Sequence, residues 1–274
     1  MKKTALATVA VLATLGGPTI AFADDAPAAS PITYNIGVVS DYRYRGISQT
    51  KLKPAVQGGV DYANGPIYAG TWLSTIGWVK DTMVATNRAN AGNAGYVPVD
   101  EKGAPVEWDV YGGTKGDIIK DSLTYDVGVL GYIYLGEKFN EIGLKSPNTV
   151  EVYGALTYGV FTAKVSIAGT TLFGVPKSAG SQYYDLSANF DLGQGFTLTP
   201  DFGYQNVTGS FAKDNSLPSY SYTDYSLTLG KDFGKGFSAS LQVIATDASK
   251  VDYVTSTGKF TGRTGVVAGV KYAF

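Results

Sequence analysis

The stretch 265–274, GVVAGVKYAF, decides how this chain of 274 residues is read. Val266, Ala268, Val270, Tyr272 and Phe274 are apolar at every second position. Between them stand Gly265, Val267, Gly269, Lys271 and Ala273, small or polar with one valine. Side chains of a strand alternate between two faces, so this strand has one greasy face and one that is not. The final strand of a soluble domain and the closing strand of a membrane barrel both fit these ten residues. The rest of the chain separates them.

The N-terminus bears on compartment. Met1, Lys2 and Lys3 form a short basic start, Thr4 to Leu15 an apolar run, and Ala21-Phe22-Ala23 a small-residue cleavage pattern. The apolar run is too short to span a bilayer, so residues 1–23 read as a secretory signal peptide. Residues 24–31, DDAPAASP, read as a flexible periplasmic lead-in, and residues 32–274 as one β domain. Formal net charge is −1, and losing Lys2 and Lys3 makes the chain slightly more acidic. Nucleic acid, which calls for a basic face, is not an expected partner. The chain has no Cys and no His. That removes disulfides, thiolates, His-activated nucleophiles and His-based metal sites. No metal site, cofactor or catalytic residue is expected.

Alternating segments recur along the chain. In 32–45, Ile32, Tyr34, Ile36, Val38, Tyr42 and Tyr44 share one face, and Asp41, Arg43 and Arg45 the other. Similar segments lie near 54–62, 67–78, 105–115, 122–135, 149–158, 161–171, 183–192, 196–207, 221–232, 237–247 and 262–274. The spacing predicts about twelve strands, each long enough to cross a bilayer when tilted. Connections alternate in length. Short ones fall at 63–66, 116–120, 159–160, 193–195 and 234–236; long ones at 46–53, 79–104, 136–148, 173–182, 209–219 and 248–261. With a periplasmic N-terminus, every short turn is periplasmic and every long loop external, the asymmetry of outer-membrane barrels. The expected fold is all-β, a transmembrane antiparallel up-and-down barrel. Its location is the outer membrane of a Gram-negative bacterium, with both termini periplasmic.

Phe274 then becomes a rim aromatic on the lipid face. Val270, Tyr272 and Phe274 together read as the signal taken up by the barrel-assembly machinery. Tyr42, Tyr44, Tyr158, Tyr184, Tyr204, Phe196 and Phe237 fall near strand ends on the apolar face, where rings suit the water–lipid boundary. Charge keeps to the other face, as it must where a midplane Arg or Lys costs about 2–4 kcal/mol. The candidate lumen-lining residues are Asp41, Arg43, Arg45, Asp61, Glu107, Asp109, Asp126, Glu151, Lys164, Asp185, Asp191, Asp201, Asp224, Arg263 and Lys271.

Several stretches carry a family resemblance: VSDYRYRGISQT at 39–50, PAVQGGVDY at 54–62, YAGTW at 68–72, YDVGVLGY at 125–132, VEVYG at 150–154 and GRTGV at 262–266. They resemble the TorF family of putative porins over nearly the whole mature chain. The resemblance implies an outer-membrane barrel with a transport role, and carries over no catalytic residue.

Function stays open between two readings. In one, mixed lumen charge forms a path for passive diffusion of small solutes or ions, with a mild preference for cations or neutral solutes. In the other, the same charges pair across strands and seal the barrel, which serves as a scaffold or through its surface loops. Arg43 and Arg45 pose the choice in small: a basic constriction at the mouth, or a salt-bridge ladder. Loop 79–104 is a flexible segment able to fold inward as a plug. A soluble barrel around an apolar ligand would reverse the faces. Expected partners are membrane lipid, the assembly machinery and the solutes themselves.

Overall fold

A computed structural model describes residues 30–93, 98, 103–209 and 220–274. The expected signal peptide and most of the lead-in lie outside the described residues, as do parts of loops 79–104 and 209–219.

The strands are β1 (Ile32–Val39), β2 (Arg43–Tyr44), β3 (Ile47–Ser48), β4 (Ala55–Asn64), β5 (Ile67–Thr75), β6 (Val106–Ile119), β7 (Leu123–Tyr134), β8 (Thr149–Tyr158), β9 (Phe161–Ala168), β10 (Gln182–Ala188), β11 (Phe190–Gly193), β12 (Phe196–Asn206), β13 (Tyr222–Asp232), β14 (Phe237–Thr246) and β15 (Gly265–Ala273). All but β2 and β3 form one antiparallel sheet in which neighbours in sequence pair in space. β10 and β11 are one stave broken at Asn189, since both pair with β12. The result is a closed barrel of twelve staves.

Closure runs through the stretch that opened the sequence reading. β15 pairs with β1, with Ile36 opposite Tyr272 and Val38 opposite Val270. Tyr34 and Phe274 exchange backbone hydrogen bonds of 2.9 and 3.0 Å, and the Phe274 ring stacks on Tyr34 and Tyr272. The outward face is apolar and uncovered: Ile36 is 53% exposed, Val129 48%, Leu241 49% and Phe274 66%. A belt this large exceeds the few hundred Å² of contiguous apolar surface usual on a soluble monomer. The buried cluster lies on the inward face and includes Leu130, Tyr132, Tyr134, Tyr153 and Val267.

The inward face has a local device that fits bulky rings into a narrow tube. Tyr68 stands opposite Gly113, and Gly70 opposite Tyr111, across the β5–β6 register. Tyr153 stands opposite Gly128 across β7–β8. Each ring lies over a neighbouring glycine: a Cβ on Gly70 would sit 2.5 Å from Tyr111 Cζ, and one on Gly128 2.6 Å from the Tyr153 hydroxyl. Gly70→Val is therefore expected to cost about 1–3 kcal/mol through overpacking. Gly131→Ala, whose Cβ meets nothing nearer than 3.8 Å, is expected to be close to neutral. The midpoint of heat-modifiable gel mobility measures both; equal midpoints would remove the packing role of the glycine.

Three sequence expectations change. The first strand ends at Val39, not at residue 45. The segment 67–78 ends as a strand at Thr75, and helix α1 (Trp78–Asn90) occupies the start of the loop read as flexible. Val79 and Met83 of that helix are fully buried, which ties it to the protein. β6 runs on to Ile119, through residues read as a turn.

Candidate functional site

Residues 40–54 turn into the barrel instead of extending its wall. β2 and β3 form a small hairpin with Tyr44 opposite Ile47, turning through Arg45 (φ 47) and Gly46 (φ 81). A two-residue hairpin of this kind needs left-handed backbone at both central positions. Gly46 adopts it freely; Arg45 is held there by contacts across the lumen.

Asp41 organises the hairpin from within. Its carboxylate accepts from Arg43 Nε at 2.6 Å, Ser48 Oγ at 2.5 Å and Thr50 Oγ1 at 3.1 Å. Arg43 Nη1 donates to the carbonyls of Gly46, Thr261 and Arg263 at 2.9, 2.9 and 3.2 Å. Asp41 and Arg43 thus form an ion pair that fastens the hairpin to the segment before β15.

Arg45 at the tip reaches the far wall. Nη2 donates to Glu151 on β8 at 2.7 Å, and Nη1 to Gln205 on β12 at 2.6 Å. The guanidinium also lies 4.2 Å from the centre of the Tyr183 ring and 4.7 Å from that of Tyr44. Both side chains of the Arg45–Glu151 pair are buried. Tyr42 donates to Glu107 at 2.6 Å, Tyr134 donates to the other Glu107 oxygen at 2.7 Å, and the Tyr44 and Tyr132 hydroxyls bond at 2.9 Å. The hairpin therefore meets β6, β7, β8, β10 and β12 across the interior and narrows the tube at its level. Tyr42 and Tyr44, expected on the lipid face, are 1% and 9% exposed inside the barrel. Their spacing matches a continuing strand, but the chain has already left the wall.

Toward the short-turn end the interior is polar. Asp61 accepts from Tyr111, and Asp126 from Tyr68, whose hydroxyl also meets that of Tyr153. Lys164 lies 4.3 Å over the Tyr153 ring and stands opposite Asp185 in register. Asp201 faces inward on β12 and Lys271 is half-buried on β15, whereas Asp224 lies at the level of the hairpin, beside Gly46, and accepts from Tyr183 at 3.2 Å. Two candidates fall elsewhere. Asp191 is exposed and accepts from the backbone of Gly193 in a turn, at 2.8 Å. Arg263 is exposed before β15 and helps line a rim cavity of about 310 Å³ with Ser40, Asp41, Arg43 and Leu52. Sequence reasoning missed Trp72, Tyr68, Tyr183 and Gln205 as interior groups. The Tyr-x-Gly spacing at Tyr68–Gly70 and Tyr111–Gly113 was a legible sign, since antiparallel pairing puts each ring over the other strand's glycine.

Helix α1 sits at the long-loop end. Trp78 packs edge-on against Tyr134, Phe139 and Phe173. Asp81 pairs with Lys51 of the 40–54 segment at 2.5 Å and accepts from the backbone and hydroxyl of Ser256 at 2.6 Å each. Burial alone would raise the Asp81 carboxyl; the bonds from Lys51 and Ser256 outweigh it and hold it below its usual value. A carboxylate lowered in the folded state stabilises that state above its unfolded pKa, and the gain is lost as pH falls through the folded value. The protection of amides 78–90, taken relative to the intrinsic exchange rate at each pH, is accordingly expected to fall on acidification from neutral to about pH 3. Asp81→Asn is expected to be less protected at neutral pH and to lose less protection in acid. Equal slopes in the two proteins would remove Asp81 as the cause.

Fold and interior together define a closed antiparallel barrel of twelve staves with an internal hairpin. The chain belongs to the Gcw_chp family, described as a bacterial protein of unknown function, whose model matches residues 24–274. That match supports no narrower family name. No curated protein matches the sequence. Among solved structures, the NanC porin is similar with a TM-score of 0.50 and 9% identity, over 89% of this chain and 98% of that one. The KdgM porin aligns with a TM-score of 0.49 and 8% identity over the same shares. OccAB1 of Acinetobacter baumannii aligns with 0.43 and 12% over 91% of this chain and 66% of that one. At these identities the likeness concerns the fold.

Proposed function

We propose that this protein is an outer-membrane channel for passive diffusion of small solutes or ions, constricted by the hairpin at 40–54. The observation that carries the reading is the sorting of faces in a closed barrel: apolar and exposed outside, charged and hydrogen-bonded inside. The resemblance to TorF putative porins agrees with it, as does a family match that begins at residue 24, where the expected mature chain begins. In this reading the long loops other than 46–53, which turns inward, are external, both termini are periplasmic, and lipid covers the belt. The assembly machinery takes up Val270, Tyr272 and Phe274. The proposed role is transport and not catalysis, since the chain has no His to activate a nucleophile.

A sealed barrel is the second reading, favoured by one observation. Tyr42, Glu107 and Glu151 at the level of the hairpin are all but inaccessible. Planar-bilayer recording of the refolded protein separates the two. Discrete conductance steps support the channel. A silent wild type that conducts once residues 43–48 are replaced by a short glycine turn supports a gated tube. Silence in both proteins, with folding verified by heat-modifiable mobility, sinks the channel reading. Recovery of the mature protein from the soluble periplasm, without detergent, would sink the membrane assignment itself.

A further inference from the structure

Asp109 stands apart from every other interior carboxylate. It lies on the inward face of β6 and is 0% exposed. Neither of its side-chain oxygens has a hydrogen-bond partner, the only carboxylate among the described residues in that position. Its neighbours are already engaged. Both Glu107 oxygens accept from tyrosines, and Glu151 takes Arg45 and, at 3.2 Å, the Tyr132 hydroxyl. Among the described residues no Lys or Arg forms an ion pair with Asp109. An isolated buried carboxylate is costly, and it is neutralised either by a counter-charge or by a proton.

The surroundings indicate which kind. In register, Asp109 is flanked by Trp72 on β5 and Tyr132 on β7, with Tyr111 two residues along its own strand. From the hairpin side, Tyr42 packs edge-on against Trp72 with ring centres 5.4 Å apart. One carboxylate among aromatic rings is the surrounding that attracts a cation on two counts, charge and ring quadrupole. The protein's own cations use the same pairing nearby: Arg45 lies on Tyr183 beside Glu151, and Lys164 on Tyr153 opposite Asp185. Among the described residues no group of three acidic, His or Cys side chains is placed to hold a metal ion. A divalent ion, which takes six or more oxygens or an ordered hydration shell, does not fit a single carboxylate in an aromatic setting.

We propose that Asp109 anchors a seat for a singly charged, weakly hydrated cation of potassium or ammonium size, enclosed beneath the hairpin. The inference concerns the interior of the same barrel and deepens the channel reading by naming cations as the solute class its constriction retains.

The test is binding, not conduction, so the two ideas fail separately. Thermal midpoints are measured from heat-modifiable mobility in potassium chloride, ammonium chloride and N-methylglucamine chloride at equal ionic strength. Wild type is expected to melt at a higher temperature in the first two. Asp109→Asn, which needs no counter-charge, is expected to melt at one temperature in all three. Cation dependence of equal size in both proteins overturns the site. So does wild-type stability that ignores the cation and rises only with added acid, which would mean that a proton neutralises Asp109. Should Asp109→Asn fail to fold, rubidium is soaked into wild-type crystals. An anomalous peak beside the Asp109 carboxylate supports the seat, and its absence overturns it. A cation-dependent midpoint in a protein that never conducts would leave the seat standing and remove the channel.

Discussion

Arg45→Ala is expected to open the barrel. The substitution removes both anchors of the hairpin tip, at Glu151 and at Gln205. It also strands Glu151 in a buried site with only the Tyr132 hydroxyl, 3.2 Å away. Breaking a buried ion pair by removing one partner costs about 3–5 kcal/mol. Since 1.4 kcal/mol is a factor of ten, the ratio of docked to released hairpin is expected to fall by roughly two to four powers of ten. The readout is single-channel recording, with longer or more frequent open states than in wild type. Exchanging the charges, Arg45→Glu with Glu151→Arg, is expected to restore part of the closed state. Arg43→Ala acts differently, because Arg43 binds Asp41 and three carbonyls of its own side of the barrel. It is expected to lower stability before it alters conductance. Conductance in Arg45→Ala that matches wild type would sink the latch.

Deleting Phe274 is expected to impair assembly before it alters any transport. The residue contributes two backbone bonds to the seam with Tyr34 and a ring stacked on Tyr34 and Tyr272. Two net hydrogen bonds and two ring stacks at about 0.5–1 kcal/mol each amount to about 2–4 kcal/mol. Concentrated at the strand pair that closes the barrel, that is a shift of roughly one to three powers of ten between closed and frayed seams. The check is the outer-membrane level of folded protein, read as the heat-modifiable band. Phe274→Tyr keeps the ring and both bonds and is expected to assemble nearly as wild type. Normal levels of the truncated protein would count against the seam account.

Much of the fold was legible because strand periodicity is a local property. Residues such as Val266, Val270 and Tyr272 declare a face without reference to any partner. Twelve such segments with alternately short and long links leave an up-and-down closed sheet as the natural arrangement. The outward face, the inward charges of the staves and the seam at Phe274 all follow from that period of two.

The hairpin was illegible for the same reason. Tyr42 and Tyr44 continue the parity of Ile32 to Val38, so periodicity reads a strand to residue 45. A period of two says which residues share a face and nothing about what that face meets. Arg45-Gly46 lacks the Asn or Asp that marks a tight hairpin, and the left-handed backbone at Arg45 is held by Glu151 and Gln205, 106 and 160 residues away. By itself the sequence determined a barrel, its seam and the sorting of charge from apolar surface. Only the tertiary structure decided that residues 40–54 cross and narrow the tube at one level, and that Asp109 is buried there with no hydrogen-bond partner among the described residues. Both depend on contacts across the lumen, which a strand's own alternation does not encode.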